Sequence, residues 1–416
     1  MAGELQRPVR ETVTPSVLQK VVWAGANLTS FPQAAAALKM LADIGLSAKQ
    51  IRRVTEQVGR DRLEERRQSV AEFRNKPLMQ RLTPPQGVAA PQLGVVMMDG
   101  GRYQRRDHFG EKDYDGSHWK EDKVGIVLHM QSAVQDSDPH PEFPAWLARA
   151  EVVREIASLG TAESEQDAVG EALCPTAEDG PAASATAAEP TAEEHDGFAE
   201  WSPQWISREV IASSECGSDF AHHLECVAWQ QGVIAAPRMA FVADGARVNW
   251  TIHKQHFSQM TGILDLMHAL SYAYRAAQAI DASGKTSRRW AEAIWQGRVE
   301  EVIAELRAAL EQDERPADQQ EPLQRALTYY EHHRARMNYP RYRREGLPLT
   351  SSHIESTIKR INIRMKGSEK FFGQETGETL LQLRADSLCT SQPLPTFWPR
   401  WFAKQNGANR YRKLAA

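Results

Sequence analysis

The sequence predicts an α/β fold in which a mixed sheet is preceded by a helical N-terminal region and interrupted by an all-helical insertion. Three observations carry this expectation. Short β-type runs, "LGVVMMDG" (93–100), "GRYQRRDHF" (101–109) and "KVGIVLHMQS" (123–132), follow one another after residue 90, and "FVADG" (241–245) repeats the first of them. Apolar residues recur at helical spacing before residue 82 and almost throughout 266–340. Pro84, Pro85, Pro340 and Pro348 break the pattern between these parts. The resulting division is 1–82 helical, 90–159 and 201–265 sheet-forming, 160–200 an acidic insert, 266–345 helical, and 346–416 a C-terminal part with a basic tail.

In "ALKMLADIGLSAKQIRRVTEQVG" (37–59), Met40, Ile44, Leu46, Ile51 and Val54 are the apolar positions, Gly45 sits at a break, and Ser47 can cap the second helix. This is the layout of a helix-turn-helix whose second helix offers Lys49, Gln50, Arg52 and Arg53 to a DNA groove, helped by the basic run "RLEERRQS". A plain helical hairpin reads much the same.

The three β-type runs after Pro85 are spaced as consecutive antiparallel strands. From about 160 to 200 the chain is mostly Ala, Glu, Pro, Thr and Ser, which cannot bury enough surface to offset its ordering entropy, so a disordered tether or a mimic of nucleic-acid charge is expected. A helix is expected from Pro203 to Gln231. "PRMAFVADGARVNW" then leads a second apolar run to Asp-Gly, and "GILDLMHALSYAYRAAQAI" opens the helical insertion, where Trp290, Trp295, Tyr329 and Tyr330 are core or base-stacking residues. Beyond the insertion Ile354, Ile358, Ile361 and Met365 form a core stripe, with Glu355 and Lys359 on its flank.

Composition narrows the function. A hydrophobic share of 41% and a charged share of 25% are ordinary for a soluble protein, no run of about 18 apolar residues offers a membrane span, and "MAGELQRPVRETV" lacks a signal-peptide core, so a cytoplasmic protein is expected. Cys174, Cys216, Cys226 and Cys389 show no CxxC pair; "CGSDFAHHLEC" crowds Cys216, His222, His223 and Cys226 without matching a standard zinc pattern. The net charge of −4 hides an asymmetry, because residues 151–200 carry 13 acidic and 1 basic side chain while residues 356–416 hold 11 Lys and Arg against 4 acids. That basic region suits a polyanion.

Three carboxylates stand at element ends: Asp99, Asp244 and Glu355. Mg²⁺ takes a few carboxylates together with water and phosphate oxygens, and two such ions can activate an attacking oxygen and stabilise the leaving one in phosphoryl transfer. Each residue also has a plain structural reading. Asp-Gly-Gly can open a hairpin, Ser352-His-Ile-Glu355 can form a capping box, and Asp265-Leu-Met-His268 can be a helix start.

The motifs "VVMMDGGRYQRRDHFGEKD" with "HWKEDKVG", "FVADGARVNW" leading into "ILDLMHAL", and "LPLTSSHIESTIKRINIRMKGSEKFF" with "LLQLRADSL" make the sequence resemble the Mutator-like DDE transposases of prokaryotic insertion sequences, most closely the Kra-type group. The resemblance covers roughly 90–150 and 235–390. It implies a ribonuclease-H-like core with Asp99, Asp244 and Glu355 as catalytic metal ligands and Asp265 with His268 as the family's Asp-x-x-His pair. It also implies two Mg²⁺ ions, replaceable by Mn²⁺, and DNA as partner through Lys359, Arg360, Arg364 and Lys366 as well as the N-terminal helix. The implied activity is cleavage of element ends at inverted repeats and transfer of the 3′-hydroxyl to target DNA by a homo-oligomer. A non-catalytic DNA-binding descendant and a nuclease without strand transfer are the alternatives, and the acidic insert maps onto no family feature.

Overall fold

The computed structural model describes residues 14–107, 118–167, 202–215, 217–281, 283–311 and 316–406. Four helices come first: α1 (Pro15–Asn27), α2 (Phe31–Ala42), α3 (Ala48–Arg74) and the short α4 (Leu78–Arg81). Ser47 caps α3 as expected, in a reciprocal box with Gln50, which satisfies amides that the first turn leaves open. The turn before it places Asp43, not Gly45, in the left-handed region at φ 53°.

The sheet follows: β1 (Leu93–Arg105), β2 (Trp119–Gln131), β3 (Gln204–Ser213), β4 (Arg238–Ala243), β5 (Thr261–Leu264) and β6 (Phe371–Phe372). Its order is β3-β2-β1-β4-β5, with β6 beside the far end of β1. The first three strands pair antiparallel, whereas β4 and β5 join β1 in parallel. Parallel neighbours need crossovers, which α6 (Gly217–Gln230) and α7 (Arg247–His256) supply.

Strand alternation sorts the two faces. A Cβ on Gly125 would meet Leu224 and Phe220 of α6. Arg208, paired with Leu128 and hence on the other face, reaches Thr357 of α13 (Ser352–Met365) and Leu388 of α14 (Gln374–Leu388). Asp99 shares the α13 face.

Between β5 and α13 every described element is helical: α8 (Leu266–Gln278), α9 (Lys285–Trp295), α10 (Val299–Leu310), α11 (Ala317–His333), α12 (Tyr339–Arg344) and a 3₁₀ turn at Arg334–Arg336. Trp290, Trp295, Tyr329 and Tyr330 are all buried there and belong to the main core, so base stacking is not their role in this conformation.

Several expectations fail for physical reasons. The first two β-type runs are one 13-residue strand, because Gly100 and Gly101 stay extended opposite Lys123 and Asp122 instead of turning. A Cβ at Gly101 would lie 3.0 Å from the Asp122 carboxylate, so close strand approach explains that glycine. The helix expected from Pro203 is β3 followed by α6. β3 is an outer strand, exposed at Trp205 and Ile206 and buried towards Ser213, so it shows no clean alternation. The acidic stretch begins as the end of α5 (Ala150–Asp167), which removes 160–167 from the disordered insert; 168–200 lie outside the described residues. The C-terminal α15 (Pro393–Asn406) places Phe397, Trp398 and Trp401 in the same apolar cluster as α1, α2 and α3, so the last described helix packs on the N-terminal region. No described helix is long and apolar enough to cross a membrane.

Candidate active site

The parallel half of the sheet brings the carboxylates together. The last β1–β4 pair is Met97 with Val242, and Asp99 and Asp244 each lie two residues further along. The last β4–β5 pair is Ala243 with Leu264, and Asp244 and Asp265 each follow by one, with Asp265 N donating to Ala243 O over 2.9 Å. Three carboxylates therefore stand level on neighbouring strands and on one face, Asp244 and Asp265 just past the ends of β4 and β5 and Asp99 midway along β1, which continues to Arg105 and so does not end on that residue as expected. From that face α13 supplies Glu355 in its first turn.

Their environments differ. Asp99 is half-buried and accepts from Gly100 N at 2.6 Å. Burial, and then the charge of Asp244, push its carboxyl up to about 8. Burial, followed by the neighbouring Asp265, also raises Glu355. Asp244 Oδ1 accepts from Ala246 N at 3.0 Å and from the buried Asn249 Nδ2 at 2.6 Å. The Asp244 carbonyl accepts from Trp250 Nε1. Asn249 and Trp250, in the first turn of α7, thus fix one oxygen of Asp244 and its backbone.

Asp265 is fully buried and caps α8. Its Oδ1 accepts from His268 N at 2.8 Å and His268 Nδ1 at 3.1 Å, and its Oδ2 accepts from Ser351 N. Burial alone would raise this carboxyl; the hydrogen bonds, led by that from His268, outweigh it and hold Asp265 below the usual range. Ser351 also donates its hydroxyl to Glu355 Oε1 at 3.3 Å. The capping box expected on Ser352 does not form: Ser351 is the residue before α13, its side chain makes no cap bond, and Glu355 turns towards Asp265 and His268.

Among the described residues, ligand atoms of Asp265, His268 and Glu355 lie within 4.8 Å of one another, a trio drawn wholly from the expected catalytic set but sharing only Glu355 with the expected metal ligands. Asp265 already takes three N–H donors, which leaves Asp99, the second oxygen of Asp244 and Glu355 as the groups best placed to meet a ligand. Among the described residues no lysine or arginine makes an ion pair with Asp99, Asp244 or Glu355.

The helical insertion docks on this edge through Gly245. A Cβ there would sit 2.2 Å from Tyr329 Cε2 of α11. Gly245→Ala should therefore force the Tyr329 ring out of its stack on Tyr272 and cost about 1–3 kcal/mol, read by urea denaturation. Unchanged stability would mean that the ring moves freely.

The expected DNA contacts divide. Lys49, Arg53, Lys359, Arg360 and Lys366 are exposed. Arg52 pairs with Glu56 at 2.7 Å, and Gln50 is held in the α3 cap. Arg364 is 2% exposed, donates from Nε to Gly25 O at 3.0 Å and lies over Phe31 and Phe372, where burial pulls it down to about 10. It is a packing residue, misread because its helix is otherwise basic. Arg364→Ala should lower stability by about 2–4 kcal/mol, mainly by lost packing around its stem, and leave the salt dependence of any DNA binding unchanged. In "RLEERRQS", Arg62 turns to Asp386, Arg66 to Glu378 and Gln382, and Arg67 to Glu215, so that run binds α3 to its neighbours.

Sequence reasoning missed Asn249 and Ser351. Their signal was positional: each lies within five residues of a carboxylate, Asn249 in the first turn of the helix after Asp244 and Ser351 just before the helix that carries Glu355. No protein-family model matches the chain, and no curated protein matches it in sequence.

Proposed function

We propose that the chain is a DDE-type transposase with a ribonuclease-H-like core, which binds the inverted repeats of its element, hydrolyses the DNA ends and transfers the 3′-hydroxyl to target DNA. The observation carrying this reading is the level row of carboxylates on three neighbouring strands of one sheet face, with Glu355 opposite and, among the described residues, no cationic side chain paired to Asp99, Asp244 or Glu355. Carboxylates raised by burial and by one another are relieved by a hard cation. Asp99, the second oxygen of Asp244, and Glu355 would hold Mg²⁺ or Mn²⁺. Bound there, two such ions supply a deprotonated nucleophile and charge stabilisation of the leaving oxygen.

The protein's own contribution is positioning. Asn249 and Ala246 aim Asp244, while Asp265 orients His268 and, through Ser351, the start of α13 and Glu355. Lys359 lies one helical turn beyond Glu355, so α13 can lead a phosphate backbone away from the carboxylates. Lys49 and Arg53 on α3 form the remaining part of the proposed helix-turn-helix surface.

Replacing Lys49 and Arg53 by alanine should weaken binding to the element's ends and reduce the slope of log affinity against log salt by about 2. An unchanged slope would make α2 and α3 a helical hairpin only. The reaction itself is tested by incubating the chain and Mg²⁺ with DNA that flanks its gene. Joined products identify a transposase, cleavage without joining identifies a nuclease, and binding without cleavage identifies a binding protein.

A further inference from the structure

His222 of α6 and His256, the last residue of α7, meet edge-on with ring centres 5.0 Å apart. Each ring has its Nδ1 tied to an oxygen. His222 Nδ1 lies 2.7 Å from Ser218 O, and His256 Nδ1 lies 2.7 Å from Glu225 Oε2. A carbonyl or a carboxylate can only accept, so Nδ1 carries the proton, and in the neutral ring Nε2 presents a lone pair. Metal-binding imidazoles are oriented in this way, with the far nitrogen donating to a carboxylate or backbone carbonyl. Two imidazoles that share an ion at about 2.0–2.1 Å in tetrahedral geometry have ring centres about 5 Å apart, which matches the observed spacing.

The other members of the sequence cluster go elsewhere. Cys226 is buried against Ser69 O, where burial raises its thiol to about 12, and His223 is held neutral by burial. Cys216 lies outside the described residues. His222 and His256 stay partly accessible.

We propose that His222 and His256 bind one borderline divalent cation, Zn²⁺ by ligand chemistry, through their Nε2 atoms, with water completing the shell and Glu225 holding the His256 ring. Imidazole suits this class of ion, whereas the carboxylate edge suits a hard one. The ion clips the end of α7 to α6. Because Asn249 in the first turn of α7 holds Asp244, the clip steadies the helix that aims that carboxylate. The site stands independently of the transposase reading.

The test is a calorimetric titration of the full chain with ZnCl₂, alongside His222→Gln, His256→Gln, Glu225→Gln and Glu355→Gln. The last variant accounts for any Zn²⁺ taken by His268 with Glu355. Either histidine substitution should remove one equivalent of Zn²⁺ or weaken it at least about tenfold, Glu225→Gln should weaken it about 10–100-fold, and Glu355→Gln should retain it. Independently of folding in the variants, Zn²⁺ should protect His222 and His256 of the wild-type chain from diethylpyrocarbonate, as mapped by mass spectrometry. Wild-type stoichiometry and affinity in both histidine variants, dependence on one histidine alone, or unprotected histidines would overturn the proposal.

Discussion

Asp244→Asn is expected to reduce metal-dependent DNA cleavage on the order of 1000-fold or more while leaving DNA binding and stability close to wild type. The substitution keeps the side chain's volume and an oxygen for the Asn249 and Ala246 donors. What it removes is the negative charge between Asp99 and Asp265 on three neighbouring strands. Charge neutralisation by a metal contributes several kcal/mol to phosphoryl transfer, and each 1.4 kcal/mol lost is about tenfold in rate. Cleavage at the wild-type rate in a gel assay would remove Asp244 from the chemistry.

Asp265→Asn is expected to act differently, through structure. Asp265 receives three N–H donors in full burial, from His268 twice and from Ser351 once. An amide has one acceptor oxygen, and its NH₂ would face a donor. The mismatch should cost about 2–4 kcal/mol in denaturant unfolding and, by loosening His268 and Glu355, slow cleavage about 10–100-fold. The number of Mn²⁺ ions bound should not change, which separates a positioning residue from a ligand. Loss of one Mn²⁺ with unaltered stability would reverse that assignment.

The residues of the candidate site could be picked out in the sequence, whereas several of the groups that support them could not. "MMDG" and "VADG" drew attention to two carboxylates because two apolar runs lead to the same polar pair, and β1 and β4 prove to be adjacent and parallel. Glu355 was legible from the Ile354, Ile358, Ile361 and Met365 stripe that it flanks: three of those four are buried and Ile358 packs against them. The capping box read on Ser352 does not form because α13 starts after Ser351, whose N–H is bound by Asp265, 86 positions away, while Glu355 turns towards Asp265 and His268. Arg364 and Arg66 were misread for a related reason. Charge along a helix shows which residues are basic, but only tertiary packing shows which of them face Gly25, Glu378 or Gln382 instead of solvent. β3 escaped because an outer strand covered over half its length has neither a strict period of two nor a helical one.

The central claim, that Asp99, Asp244 and Glu355 hold divalent metal for phosphoryl transfer, is tested most directly by anomalous diffraction from crystals of the chain grown in Mn²⁺. The account predicts two manganese peaks about 4 Å apart, ligated by those three carboxylates, with Asp265 outside the coordination sphere and still bonded to His268 and Ser351. No peak at that edge under saturating Mn²⁺, or an ion ligated by Asp265 in place of Asp99 and Asp244, would contradict it.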